Sequence, residues 1–240
     1  MSQRVGRVAP AAAIAALAAI LLGAAARSTA VPIERLPEPD RRHIEVITAS
    51  ADVSTRVEAR AFLARPDVFE YLLDHPDFAA HVARTLQVAR YRIWRTPEGM
   101  ALDDGWGARG HFRVVYAAEG TRVMLARGHF DKALLPPIRG QAVAMIEYRL
   151  EPADGGWSLV RPTVSGYVKL DSRFLAGLLR VASAAAQRKA DLEAHRLMKV
   201  FAKVSRELQE DPAGVLEQLR RNPEVPRREL EEFARLLDAR

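Results

Sequence analysis

The residues of this chain best suited to chemistry flank one two-residue turn. If Glu119-Gly120 closes a hairpin, Phe112 faces Arg127, Val114 faces Leu125, Tyr116 faces Val123, and His129 stands opposite Gly110. That face is mostly apolar and is expected to point inward. An arginine and a histidine on such a wall would hydrogen-bond the polar head of an otherwise apolar ligand, a carboxylate, phosphate or hydroxyl. Burying either without a partner is costly. In the other reading both lie near the strand end and reach solvent or a structural acid. A register slip of one residue would carry both to the outer face.

Asp103-Asp104 forms the next candidate. Two neighbouring carboxylates can hold one raised pKa and serve as an acid–base pair. Consecutive strand residues point to opposite faces, so the pair would cooperate only in a bend, which Gly105 and Gly107 permit. The alternative is a pair of solvated loop acids. The six histidines suggest no metal site: His75 and His81 are poorly spaced on a helix, and His111 and His129 fall on opposite faces in this register. With no cysteine, disulfides, thiol catalysis and thiolate metal sites are excluded. HExxH, Walker A, GxSxG and dinucleotide-binding glycine patterns are missing too. No cofactor, metal or assigned catalytic residue is expected.

These residues need a frame, and period-two patterning supplies one. Val53, Thr55, Val57, Ala59 and Ala61 alternate with polar residues as a half-buried strand does. Strand patterns return at 88–95, from Met100, at 112–116, 121–130, 141–150 and 157–170. Together they predict about six antiparallel strands. Between them Pro66 opens a short helix with Val68, Phe69, Leu72 and Leu73 on one stripe, and a further helical stretch follows His75-Pro76-Asp77. From Asp171 or Ser172, apolar residues recur at spacings of three and four through Phe174, Leu178, Val181, Ala185, Ala190, Ala194, Leu197, Phe201, Val204 and Leu208. Asp211-Pro212 stops this long helix and starts a shorter one, and Pro226 starts another carrying Leu230, Phe233 and Leu236.

The amino terminus has the layout of an export signal. Arg4 and Arg7 precede the apolar run Ala11–Leu22, and Ser28-Thr29-Ala30 or Ala24-Ala25-Ala26 offers small residues for cleavage. The rival is a retained anchor over Val8–Ala26, weakened by 11 alanines, Pro10 and Gly23. Without Arg4, Arg7 and Arg27 the formal charge falls from +6 to +3, with 33 basic and 30 acidic groups. No basic stripe with interleaved aromatics points to nucleic acid. Val31–Arg42, rich in proline and charge, reads as a linker.

The order strand, two short helices, antiparallel strands and long helix resembles the helix-grip fold of the START/polyketide-cyclase-like superfamily. The local match is Arg60-Ala61-Phe62-Leu63-Ala64-Arg65-Pro66-Asp67-Val68-Phe69-Glu70-Tyr71-Leu72, similar to that family's strand followed by small-x-Pro-x-x-Val-Phe-x-x-Leu. The resemblance implies an α+β fold in which a curved antiparallel sheet grips one long helix, with an apolar cavity between them, over residues 52–208. Residues 1–30 would be the signal, 31–51 a linker and 209–240 a short helical extension outside the common pattern. Ala142, Ala144, Ile146, Tyr148 and Leu150 would line the cavity, facing Ala182, Ala185 and Ala186, and 67–86 and 132–139 would act as lids. A hydrophobic small molecule or lipid, held by Tyr91, Trp106, Phe112, Tyr116, Arg127, His129 and Tyr148, is the expected ligand of a periplasmic or secreted carrier. The alternatives are a cyclase, dehydratase or hydrolase using Asp103, Asp104 or His129, and an interaction module docking an envelope protein through 209–240.

Overall fold

The computed structural model describes residues 31–131, 137–172 and 183–238, the side chains of 183–191 excepted. The expected export segment 1–30, most of the 132–139 loop, the expected wall position Ala182 and the side chains of Ala185 and Ala186 lie outside what is described. Among those described, no helix is long and apolar enough to cross a membrane.

The fold is α+β, built on a large curved antiparallel sheet. Its strands are β1 (Val53–Glu58), β2 (Phe62–Ala64), β3 (Arg92–Thr96), β4 (Gly99–Asp103), β5 (Ala108–Ala118), β6 (Thr121–Phe130), β7 (Ile138–Pro152) and β8 (Ser158–Leu170). They run in the order β1-β8-β7-β6-β5-β4-β3, with β2 paired to β8 beyond β1. Among the described residues the sheet therefore has eight strands rather than about six. The first expected strand breaks into β1 and β2 at residues 59–61, and a tight turn at Thr96–Gly99 separates β3 from β4 as a hairpin of their own. Positive φ at Gly99 (122°) and Gly120 (72°) lets these chains reverse within two or three residues.

The helices are α1 (Asp40–Ala49), α2 (Pro66–Asp74), α3 (Pro76–Thr85), α4 (Ser183–Glu210), α5 (Pro212–Arg221) and α6 (Arg227–Asp238). Proline at the first helical position starts α2, α3 and α5, where its missing N–H costs nothing. Asp211 caps α5 by accepting from the Gly214 N–H at 2.8 Å.

Three apolar cores follow from the two faces of the sheet. Inward-pointing Phe112, Ala126, Ala142, Ala144, Ile146, Tyr148, Val160, Val164 and Val168 pack with Phe69 of α2 and with Ala194 and Met198 of α4. The outer face is covered as well: Val123, Leu125, Val143 and Met145 pack under Val31, Leu36, Ile44 and Ile47. The stretch expected to be a linker is thus a short 3-10 turn plus α1, docked by a helical apolar stripe that its prolines and charges disguised. Burying Ile44 and Ile47 completely contributes about 2–3 kcal/mol each. Arg113 on β5 pairs with Asp40 and fixes the start of α1.

The third core joins α2 and α3 to α4, α5 and α6 through Val68, Leu72, Phe78, Val82, Val204, Leu208, Leu219, Leu230 and Phe233. The carboxy-terminal extension is therefore integral, and its apolar stripes are already covered by α2 and α3. Arg65 donates to the terminal carbonyls of α6 at Leu236 (2.5 Å) and Leu237 (3.1 Å). Arg95 holds Asp77 at 2.6 Å and reaches Glu229 at 3.5 Å. The Tyr71 hydroxyl donates toward Glu232 at 3.1 Å. Segment 67–86, expected to act as a lid, is held from four sides.

Candidate functional site

The β5–β6 ladder decides which side chains can share a site. Next to the turn, Tyr116 pairs with Val123, as expected. A β-bulge at Val115 then shifts the register by one, so Val114 pairs with Met124, Phe112 with Ala126, His111 with Arg127 and Arg109 with His129. Past the bulge the even residues of β6 face inward and the odd residues outward. The Arg127 side chain is exposed on the outer face, although the residue borders the cavity described below, and Tyr116 lies in the outer core beside Val123, its hydroxyl 3.4 Å from Arg35 Nη1. His129 is on the outer face too, with Nε2 3.3 Å from Asp131. His111 and His129 share that face instead of opposing each other.

Phe112 and Tyr148 do face inward, but not together. Phe112 walls an apolar cavity, whereas Tyr148 lies six residues further along β7 from Ala142, about 20 Å at strand rise. Trp106 sits exposed in the β4–β5 loop, its N–H donating to Asp104. Tyr91 precedes β3, two residues before inward-packed Ile93, and burial pushes its phenol up to about 12. The seven expected ligand residues thus fall into separate places, and only Phe112 borders the cavity with its side chain.

The cavity is built over a row of glycines. Gly110, Gly128 and Gly140 pair side by side across β5, β6 and β7, flanked by Leu102 and Leu170 on the neighbouring strands. A Cβ on Gly128 would lie 2.7 Å from the Arg109 carbonyl oxygen, and one on Gly140 2.7 Å from that of Lys169. Glycine is required here because the strands approach too closely for any side chain. The consequence is a floor of bare backbone, walled by Phe112, Ala126, Phe130, Ile138, Ala142 and Val168. The cavity volume is about 60 Å³, room for the end of an apolar chain. Glycine within or just before three separate strand patterns was the available signal in the sequence; only the pairing register shows that the three are neighbours.

At the other end of the inner face lies a polar network that sequence reasoning missed. Arg122 is buried at 5% exposure and grips Asp74 of α2 with two hydrogen bonds of 2.6 and 2.9 Å. Its Nη1 also donates to the Ala118 carbonyl (2.7 Å) and approaches the Tyr148 hydroxyl (3.3 Å). Tyr148 donates in turn to Glu70 at 2.8 Å. Burial, then the Glu70 bond, push the Tyr148 phenol up to about 12. Every member is satisfied by a protein partner, so the network locks α2 to β6 and β7.

Asp103 and Asp104 do not form an acid–base pair. Asp103 accepts from the Gly105 N–H at 2.7 Å and from Arg109 at 2.9 Å, and these bonds lower its pKa. Buried Asp104 accepts from the N–H groups of Trp106 and Ala108 at 2.7 and 2.9 Å. Both carboxylates shape the loop. Among the described residues no group of three or more metal-binding side chains is present.

No family model and no curated protein matches the chain. Among solved structures, a hypothetical protein of Helicobacter pylori is similar at 12% identity and a TM-score of 0.40, covering 76% of this chain and 99% of that one. A conserved protein of Geobacillus kaustophilus gives 10% identity and a TM-score of 0.32 over 66% of this chain and 93% of its own. A protein of Thermus thermophilus gives 14% and 0.32 over 63% and 96%.

Proposed function

We propose that this chain is a hydrophobic-ligand binding protein of helix-grip type, exported from the cytoplasm, whose ligand lodges one apolar end over the glycine row. A lipid or isoprenoid has the required chemistry. The observation that carries the reading is the cavity itself: bare backbone below, Phe112, Phe130, Ile138 and Leu170 around it, and the bordering residues His111, Arg127, His129 and Arg139 at register positions of the opposite face. Apolar burial supplies the affinity of such a site. A volume of about 60 Å³ admits a chain end, so the rest of the ligand must lie outside the cavity or part its walls. The export reading rests on Arg4, Arg7, the Ala11–Leu22 run and the small residues before Val31.

Native mass spectrometry of the chain purified from its own host, followed by organic extraction, tests this directly. A discrete apolar adduct that organic solvent removes is expected. A clean unliganded mass, with no uptake of added fatty acid or prenyl alcohol, would overturn the proposal.

A further inference from the structure

A second depression lies between β2 and α4, away from the glycine row. Its floor is apolar, formed by buried Phe62 and Met198 with Ala202. Its rim carries Arg60, His195, Lys199, Lys203 and Arg206, and among the described residues no carboxylate lines it. Within the same set Arg60, Lys199 and Lys203 have no ion-pair partner, and Arg206 has only Glu210 at 3.8 Å. Lys199 and Lys203 are one helical turn apart, and Arg206 follows three residues later. Such a row of like charge is unfavourable for the helix taken alone.

The other wall is a strand edge. β2 pairs with β8 on one side only, so among the described residues its second edge is open. Phe62 and Ala64 turn toward the core they share with α4, and Leu63 points the opposite way, 41% exposed. A groove between an open strand edge and a helix is a setting in which an extended peptide can add as an extra strand.

We infer that this groove binds an extended acidic segment of a partner protein, paired along β2, with its alternate carboxylates on the cations of α4. The spacings match. Alternate residues of a strand repeat every 6.8 Å or so, and residues four apart on a helix every 6 Å or so. Lys199 and Lys203 thus meet successive same-face carboxylates, with Arg206 a further distance of about 4.5 Å along the helix, while the guest's other face continues the apolar surface of Leu63. From His195 to Gln209 the helix side of the groove is about 21 Å long, enough for six or seven strand residues.

The test is fluorescence anisotropy on the full chain with a labelled eight-residue peptide alternating Glu and Val. The expected result is saturable binding that weakens with salt and is at least tenfold weaker for a Lys-Val peptide and for a Glu/Val peptide of the same composition without alternation. Lys199→Glu combined with Lys203→Glu should also lose at least tenfold, and the pair Lys199→Gln with Lys203→Gln keeps the test valid if charge reversal disturbs folding. Amide exchange at 61–64 should slow when the alternating peptide is bound. Equal binding of the Lys-Val peptide, indifference to both double substitutions, or unchanged exchange at β2 would overturn the inference. So would capture of the chain by phosphatidylglycerol vesicles in the absence of peptide binding.

Discussion

The Arg122 guanidinium lies 6.0 Å from the centre of the Tyr148 ring and 3.3 Å from its hydroxyl, while its other nitrogens hold Asp74. One buried cation therefore joins the β6–β7 ladder to the last turn of α2.

Replacing Arg122 with Met should remove that joint. Breaking a buried ion pair costs about 3–5 kcal/mol, but Asp74 keeps 42% of its side chain in water, so the lower end applies. Urea denaturation should show a loss of about 2–3 kcal/mol, and Arg122→Lys should restore less than half, because an ammonium cannot bond Asp74 in two-point fashion.

The docking of α1 should depend on pH through Asp40. Its pKa is lowered from 3.8, first by hydrogen bonding from Arg113; burial opposes this in part, and the charges of Arg113 and His43 add smaller lowering effects. A carboxyl with a depressed folded pKa contributes stability above its unfolded pKa and loses it as pH falls through the folded value. Arg113→Gln should therefore lower the midpoint of unfolding at pH 7, and the gap to the unaltered chain should close below pH 3.8. A gap that persisted at pH 2 would assign the effect to packing.

Glycine substitutions should separate close approach from backbone conformation. Gly128→Ala must displace the Arg109 carbonyl and should destabilise by about 2 kcal/mol or more, on the order of an overpacked core. Gly105→Ala meets nothing within 4 Å, but its φ is +73°, so only the left-handed cost of about 1 kcal/mol applies. Equal losses at both sites would contradict this account of the cavity floor.

Filling the cavity should oppose the ligand and not the fold. Ala142→Val and Ala126→Val place methyl groups into the space above the glycines, with a stability gain of up to about 1 kcal/mol. Uptake of a fluorescent fatty acid should fall tenfold or more. Undiminished uptake would place the ligand elsewhere.

Phe233→Ala tests whether α6 belongs to the fold. Phe233 is fully buried against Phe78, with ring centres 5.2 Å apart, so truncation should cost about 3–5 kcal/mol. Faster amide exchange in α2 and α3, as well as in α6, would confirm that the three share one cooperative unit.

Much of the frame was legible because its signals are local. Pro66, Pro76, Asp211 and Pro226 announce helix starts, and the two-residue period of a strand puts Ala142, Ala144, Ile146, Tyr148 and Leu150 of β7 on one inward face. The candidate site was less legible because it depends on register. Arg127 and His129 share a face of β6 with Val123 and Leu125, and that face is covered by Val31, Leu36, Ile44 and Ile47 rather than forming the inner wall. One extra residue at Val115 turns Phe112 to the opposite face from Tyr116, and nothing in a run of Val-Val-Tyr marks a bulge. The buried role of Arg122 was hidden because its face of β6 reads as the outer one. α1 escaped notice because its apolar stripe is only Ile44 and Ile47 within a charged segment, and what they cover is distant in sequence.

That distance has a kinetic consequence. α1 rests on β6, β7 and β8, and β1 pairs with β8 from Val53↔Val168 to Glu58↔Thr163, so the first described elements find their partners far along the chain, Asp40 meeting Arg113 only 73 residues later. A ribosome delivers the early segments long before the strands that complete them. Ile44 and Ile47 stay uncovered until β6 and β7 have emerged, and the edge of β1 until β8 has; closing such loops slows folding. The nascent chain is therefore most exposed to unwanted association in the interval before its last strand is made, which is when a holding chaperone would do it most good.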